Sequence, residues 1–175
     1  MNEGIGMGEG MKPMENNAAF QSAFKELIGE EGGYVFSKDD PGGETKYGIT
    51  KRTYPQLDIK SLTLDMAKAI YYKDFWLPLG DQCSTAVRLE VFDFAVNSGI
   101  GTAIRKLQLA IGVADDGFFG PISRAKLASL PSGIVVLRYL SARLDFMASL
   151  TTWPNFGKGW ARRIARRMQR ASEMV

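Results

Sequence analysis

The chain has 175 residues, 45% of them hydrophobic, a length and composition that suit one compact soluble domain with a real core. It holds one cysteine, Cys83, and no histidine, which excludes an intramolecular disulfide, Ser-His and Cys-His nucleophile pairs, and zinc sites with imidazole ligands. The net charge of +3 hides an asymmetry: residues 1–50 carry nine acidic and four basic groups, residues 151–175 one and six, and such a basic tail suits an anionic polymer or surface.

Residues 1–15 are rich in Gly, Met and Glu without periodicity and read as a flexible tail. They lack the profile of a secretory signal, and no apolar run approaches the roughly 20 residues that span a bilayer. Synthesis in the cytoplasm without a signal peptide is the expectation. Asn16 or Asn17 can cap a first helix running to about Glu31, with Phe20, Ala23, Phe24 and Leu27 on one face and Gly32-Gly33 ending it. Between residues 34 and 50 the pattern turns to short β-like pieces around Asp39-Asp40-Pro41-Gly42-Gly43, the mark of a small hairpin lobe.

The remainder reads as helical. Leu64, Ala67, Tyr71 and Phe75 recur at helical spacing over residues 63–76, stopped by Pro78 and Gly80. Residues 84–97 are apolar on most sides, which predicts a helix buried through the middle of the domain. Further helices are expected over residues 102–111, 121–130, 132–150 and 158–173. The fold class that follows is mainly α, an α+β arrangement of a helical domain with one small β-hairpin lobe flanking a cleft. Residues 16–175 form one domain in this reading, and Cys83 is a small buried hydrophobe within it.

At about 100° per residue, Glu31 falls in the middle of the stripe made by Phe20, Phe24 and Leu27. Burial beside apolar groups raises a carboxyl pKa, as a general acid working near neutral pH requires; a helix-terminal Glu bent out to water is the plain alternative. Asp40 follows in the expected hairpin turn, and Thr45 after it. Two carboxylates flanking one sugar bond are the minimum apparatus of glycoside hydrolysis, one to protonate the leaving oxygen and one to hold a water or the developing cation. Thr45 can orient that water. Glu44 competes with Asp40 for the second role.

The segments Glu31-Gly32-Gly33-Tyr34, Asp39-Asp40-Pro41-Gly42-Gly43-Glu44-Thr45 and Tyr47-Gly48-Ile49-Thr50, in that order and spacing, closely resemble the N-terminal signature of glycoside hydrolase family 108. These are N-acetylmuramidases of phage endolysins and bacterial secretion-activator proteins. The resemblance implies a lysozyme-like fold and places the family's catalytic glutamate on Glu31. Phe92-Asp93-Phe94-Ala95-Val96-Asn97-Ser98-Gly99 and Asp115-Asp116-Gly117-Phe118-Phe119-Gly120-Pro121 look like the family's predicted peptidoglycan-binding region. Residues 16–100 are then the catalytic part and residues 101–175 the helical, peptidoglycan-binding-like part. The order Glu, Asp, Thr is also similar to T4-type phage lysozymes, with a shorter spacing between Asp40 and Thr45.

The implied partner is bacterial peptidoglycan, with no cofactor, no metal and a monomeric state, acting on the wall in the periplasm after holin-type release from the host cytoplasm. Tyr34, Tyr47, Tyr72 and Trp76 are candidates for stacking on sugar faces, with core packing the alternative for each. Asn97 is a candidate donor to N-acetyl groups or else a helix C-cap. Glu90 and Asp93, on a nearly all-apolar helix, need partners, with Arg88, Arg105 and Arg138 available. In the last helix Trp160, Ala161, Ile164, Ala165, Met168 and Ala171 form one face. Arg162, Arg163, Arg166, Arg167 and Arg170 form the other, a candidate recruiting face for anionic wall or outer-membrane lipopolysaccharide.

A lytic transglycosylase, which needs only the glutamate, and a wall-binding module without activity are the competing readings. No groove-reading or stacking motif supports a nucleic-acid partner.

Overall fold

The computed structural model describes residues 14–28, 35–36, 43–80 and 83–175. Glu31, Tyr34, Asp40 and the expected Gly32-Gly33 helix stop lie outside the described residues, as do residues 1–13. The chain divides into two compact units, Met1–Asp74 and Phe75–Val175.

In the first unit α1 spans Ala18–Ile28. Asn17 caps it, its Oδ1 accepting from Phe20 N at 2.9 Å, which satisfies one of the orphan amides of the first turn. Phe20, Ala23 and Phe24 form the buried stripe that the spacing predicts. Met14 corrects the extent of the flexible tail, because its side chain is buried and its carbonyl accepts from Gln21 Nε2 at 3.0 Å. Strands β1 (Val35–Phe36), β2 (Glu44–Lys46) and β3 (Ile49–Thr50) make one antiparallel sheet in that order, with Val35 opposite Thr45 and Thr45 opposite Thr50. Helix α2 (Leu64–Tyr71) is capped by Thr63. The segment predicted as one helix to residue 76 instead widens into a π turn, Tyr72–Trp76, and tightens into a 3-10 turn, Leu77–Leu79, where Pro78 removes a helical donor. Rings knit α1 to this region: Phe20 meets Tyr72 edge-on at 4.9 Å, and Phe24 meets Tyr71 at 5.6 Å.

The second unit holds α3 (Thr85–Ser98), α4 (Ile100–Ile111), α5 (Pro121–Ala128), α6 (Ser132–Ala148) and α7 (Trp153–Ser172). Ser84 caps α3, which is buried on nearly every side by its contacts with α4 and α6. The fold is thus mainly α with one small antiparallel sheet, as the hydropathy pattern requires. Helix α7 starts five residues earlier than expected. Gly157 is part of its packing, since a Cβ there would lie 2.5 Å from the Trp153 indole.

No helix of the described residues is long and apolar enough to cross a membrane.

Candidate active site

The hairpin β2–β3 turns through two residues, Tyr47 and Gly48, both at positive φ (+52° and +77°). Two-residue hairpins favour this handedness because it matches the twist of the strands. Glycine adopts it freely, whereas tyrosine resists it by roughly 1–2 kcal/mol. The resistance at Tyr47 is met from α2, where the Tyr71 phenol donates to the Tyr47 carbonyl at 3.1 Å. Burial pushes the Tyr71 pKa up to about 12, so the phenol stays protonated and able to donate. The Lys46 ammonium lies 5.6 Å from the centre of the Tyr47 ring.

This hairpin positions three of the sequence-predicted residues. Glu44, Thr45 and Tyr47 are all half-buried, so each keeps part of its surface open. Thr45 sits directly across from Thr50, whose hydroxyl pairs with that of Thr53 at 2.9 Å. The Glu44 carbonyl accepts from Lys51 N at 2.9 Å, and Lys46 Nζ donates to the Lys60 carbonyl at 2.9 Å, tying the sheet to the loop that follows. The family-like motif Tyr47-Gly48-Ile49-Thr50 is therefore the turn and return strand that fix where Glu44 and Thr45 point.

Two of the proposed stacking aromatics are core residues, a correction to the sequence reading. Tyr72 is 7% exposed and spends its ring on Phe20. Trp76 is 2% exposed, meets Phe92 edge-on at 5.4 Å, and has the Arg88 guanidinium over its face at 5.2 Å. A sugar has no free indole face to stack on there. Asn97 is exposed, and its Nδ2 donates to the Asp93 carbonyl at 2.5 Å. Its amide hydrogen thus serves the C-terminal turn of α3.

The buried carboxylates of α3 find partners other than those expected. Arg167 grips Glu90 with Nε at 3.1 and 3.0 Å and Nη2 at 2.8 Å. Asp93 takes Arg143 Nη1 at 2.6 Å and Arg163 through Nη2 at 2.6 Å and Nε at 3.2 Å. Burial alone would raise the Asp93 pKa, but the hydrogen bond from Arg163 and the charges of Arg143, Arg163 and Arg167 outweigh it and hold the carboxyl below its ordinary value. Arg88 instead donates to the carbonyls of Trp76 and Gly80, Arg105 to that of Asp115, and Arg138 is exposed.

The ion pairs also correct the phase of α7. Its buried stripe is Gly157, Ile164, Arg167 and Ala171, with Trp160 partly covered, while Ala161, Ala165 and Met168 face solvent. Arg163 and Arg167 hold the fold together and do not belong to a solvated recruiting face. Arg162 and Arg166 are exposed, and Arg170 is half-buried.

Sequence reasoning passed over Gln108, a buried polar residue inside the apolar stripe of α4. Its Nε2 donates to Asp116 Oδ1 (2.7 Å), the Phe118 carbonyl (3.0 Å) and Ser123 Oγ (3.2 Å), while its Oε1 accepts from Gly117 N (2.8 Å). One side chain thereby shapes the Asp115-to-Pro121 loop. The signal was a glutamine at a core position of an amphipathic helix. Among the described residues no cluster of three or more carboxylates and thiols could hold a metal ion.

A mainly helical chain with one three-stranded antiparallel sheet, whose middle strand carries the half-buried Glu44 and Thr45 at successive positions and so on opposite faces, is a lysozyme-like α+β protein. The family model for Glycosyl hydrolase 108 matches residues 24–99, from the middle of α1 through the hairpin to the end of α3. The solved structure of Brucella abortus SagA aligns with a TM-score of 0.78 and 32% identity, over 89% of this chain and 94% of that one. No curated protein sequence matches the chain. The chain belongs to glycosyl hydrolase family 108, and its chemistry is the hydrolysis of glycosidic bonds.

Proposed function

We propose that the chain is an N-acetylmuramidase, hydrolysing the β-1,4 bond between N-acetylmuramic acid and N-acetylglucosamine in bacterial peptidoglycan. The observation that carries this reading is a glycoside hydrolase match over residues 24–99 in a chain without histidine and with its one cysteine buried, so that carboxylates are left to do the chemistry. Glu31 is the general acid that protonates the leaving glycosidic oxygen. Asp40 holds the attacking water or the developing oxocarbenium ion, with Glu44 as its competitor and the Thr45 hydroxyl orienting the water. Water adds to the sugar's anomeric carbon, and the bond to the leaving oxygen breaks. Tyr34 and Tyr47 line the glycan. The protein acts as a monomer on the wall in the periplasm, after release from the host cytoplasm through a holin-type lesion.

The test is digestion of purified, lipid-free peptidoglycan by the wild type and by Glu31→Gln, with the products read by mass spectrometry. Soluble fragments that carry one added water per cut are expected, with a loss of at least about a hundredfold in the variant, the scale of general acid catalysis. Fragments ending in an anhydro sugar would make the protein a lytic transglycosylase. Binding without release of fragments would overturn the enzymatic reading altogether.

A further inference from the structure

Helix α7 carries six basic residues and no acidic one between Trp153 and Ser172, but they are not equivalent. Arg163 and Arg167 are spent on Asp93 and Glu90. Lys158, Arg162 and Arg166 are exposed, and among the described residues their side chains make no ion pair or hydrogen bond. They follow one another at four-residue intervals, so about 6 Å separates each from the next along the axis and the row is about 12 Å long. Neighbouring like charges at this spacing repel one another and weaken a helix. Nothing in the packing of the second unit requires them.

A second observation lies beside the row. Phe156 is 56% exposed and stacked on Trp160 at 5.8 Å, and Trp160 in turn meets Trp153 at 6.1 Å. The ring is held rigid by its neighbours yet half in water. Round the helix surface Phe156 is on the order of 80° from Arg166, 120° from Arg162 and 160° from Lys158, with Gly159 between the ring and the row. A Cβ at Gly159 would meet nothing within 4 Å, so a flat surface can approach the backbone there.

We infer that the solvent face of α7 docks on an anionic phospholipid surface, with Lys158, Arg162 and Arg166 on headgroup phosphates and Phe156 inserted at the edge of the acyl region. The pairing of a cation row with a held aromatic ring selects this occupant. A stiff polyanion would satisfy the row and leave Phe156 in water, whereas a lipid interface takes both, as it does for interfacial amphipathic helices. The surface is independent of the muramidase reading, because none of its residues belongs to the hydrolytic apparatus.

The experiment uses the full chain and vesicle co-flotation. One set of vesicles is phosphatidylethanolamine with about a quarter phosphatidylglycerol, and the other is phosphatidylcholine alone. Each basic residue near an anionic leaflet is worth about fivefold in partition, so Lys158→Gln/Arg162→Gln/Arg166→Gln should lose on the order of a hundredfold on the anionic vesicles. A control with the same change in net charge, Arg52→Gln/Lys126→Gln/Arg138→Gln at exposed positions elsewhere, should bind within about twofold of the wild type, since a local row and not total charge sets the contact. Phe156→Ser should weaken binding to anionic vesicles with its charge unchanged.

Equal losses in the two triple variants would overturn the inference, as would wild-type protein that floats with neither vesicle. Tighter binding to duplex DNA or lipid-free peptidoglycan than to anionic vesicles, abolished by the same row variant, would assign the face to that polymer instead. Activity on lipid-free peptidoglycan, measured in parallel, reports on the muramidase reading and should be unchanged in the row variant.

Discussion

The phenol of Tyr71 fills the space in which a side chain at residue 48 would begin. Its oxygen lies 2.6 Å from where a Gly48 Cβ would stand, and the same oxygen donates to the carbonyl of Tyr47. Glycine at 48 is thus required twice, by its φ of +77° and by the hydroxyl above it. Gly48→Ala should cost about 2 kcal/mol or more, and Tyr71→Phe about 1 kcal/mol through the lost hydrogen bond. The two should not add, because removing the hydroxyl relieves part of the clash. A double-mutant cycle by chemical denaturation reads this directly; strict additivity would mean that the hydroxyl does not confine the turn.

Asp40→Asn should reduce turnover on peptidoglycan by at least about a hundredfold and leave the melting temperature unchanged within error. Turbidity clearing of permeabilised Gram-negative cells and a thermal melt give the two readouts. Activity near that of the wild type would pass the second carboxylate role to Glu44, and Glu44→Gln would then be the inactive variant.

Asp93 is buried between Arg143, which is fully buried, and the partly exposed Arg163. Truncation to Ala leaves Arg143 without its counter-charge and should cost about 3–5 kcal/mol. Arg163→Gln, at a position about one third exposed, should cost much less. The Asp93 carboxyl is held below its ordinary value of 3.8, so the folded state binds this proton less readily than the unfolded one. Its contribution to stability is full above about pH 4 and is lost as pH falls through the lower folded value. Unfolding free energy measured from pH 5 down to pH 2 should fall less steeply in Asp93→Asn than in the wild type.

Gln108→Leu should loosen the Asp115-to-Pro121 loop without melting α4. It removes the acceptor of Gly117 N and the donor shared by Asp116, Phe118 and Ser123, at a cost of about 2–3 kcal/mol for buried groups left unpaired. Native-state hydrogen exchange supplies the local readout. The Gly117 amide should lose protection while the amides of α4 keep theirs.

The helices were legible because their caps and stripes are local signals. Asn17 and Ser84 sit at helix N-termini as their side chains allow, and Phe20, Ala23 and Phe24 are buried at helical spacing. The two-residue turn was not legible as such, because Tyr-Gly lacks the asparagine or aspartate that usually marks it. Its support from Tyr71 lies 24 residues away. The partners of Glu90 and Asp93 were misassigned for the same reason: Arg167 lies 77 residues beyond Glu90, and Arg143 and Arg163 lie 50 and 70 beyond Asp93. Once two arginines are drawn inward, the buried stripe of α7 rotates away from its hydropathy maximum. Of the candidate site, Glu44, Thr45 and Tyr47 are placed together on the hairpin, while Glu31 and Asp40 rest on the motif that the sequence displays.

Those long ion pairs also set an order on synthesis. When α3 leaves the ribosome its two carboxylates have none of these counter-charges: the first, Arg143, comes 50 residues after Asp93, and the last, Arg167, comes 77 residues after Glu90. A nascent chain halted before Arg163 has Arg143 to pair with Asp93 but leaves Glu90 a buried acid without its partner. The second unit therefore completes its packing only when its final helix is made, and a chain shortened within that helix should be recognised by the cell's proteases as unfinished.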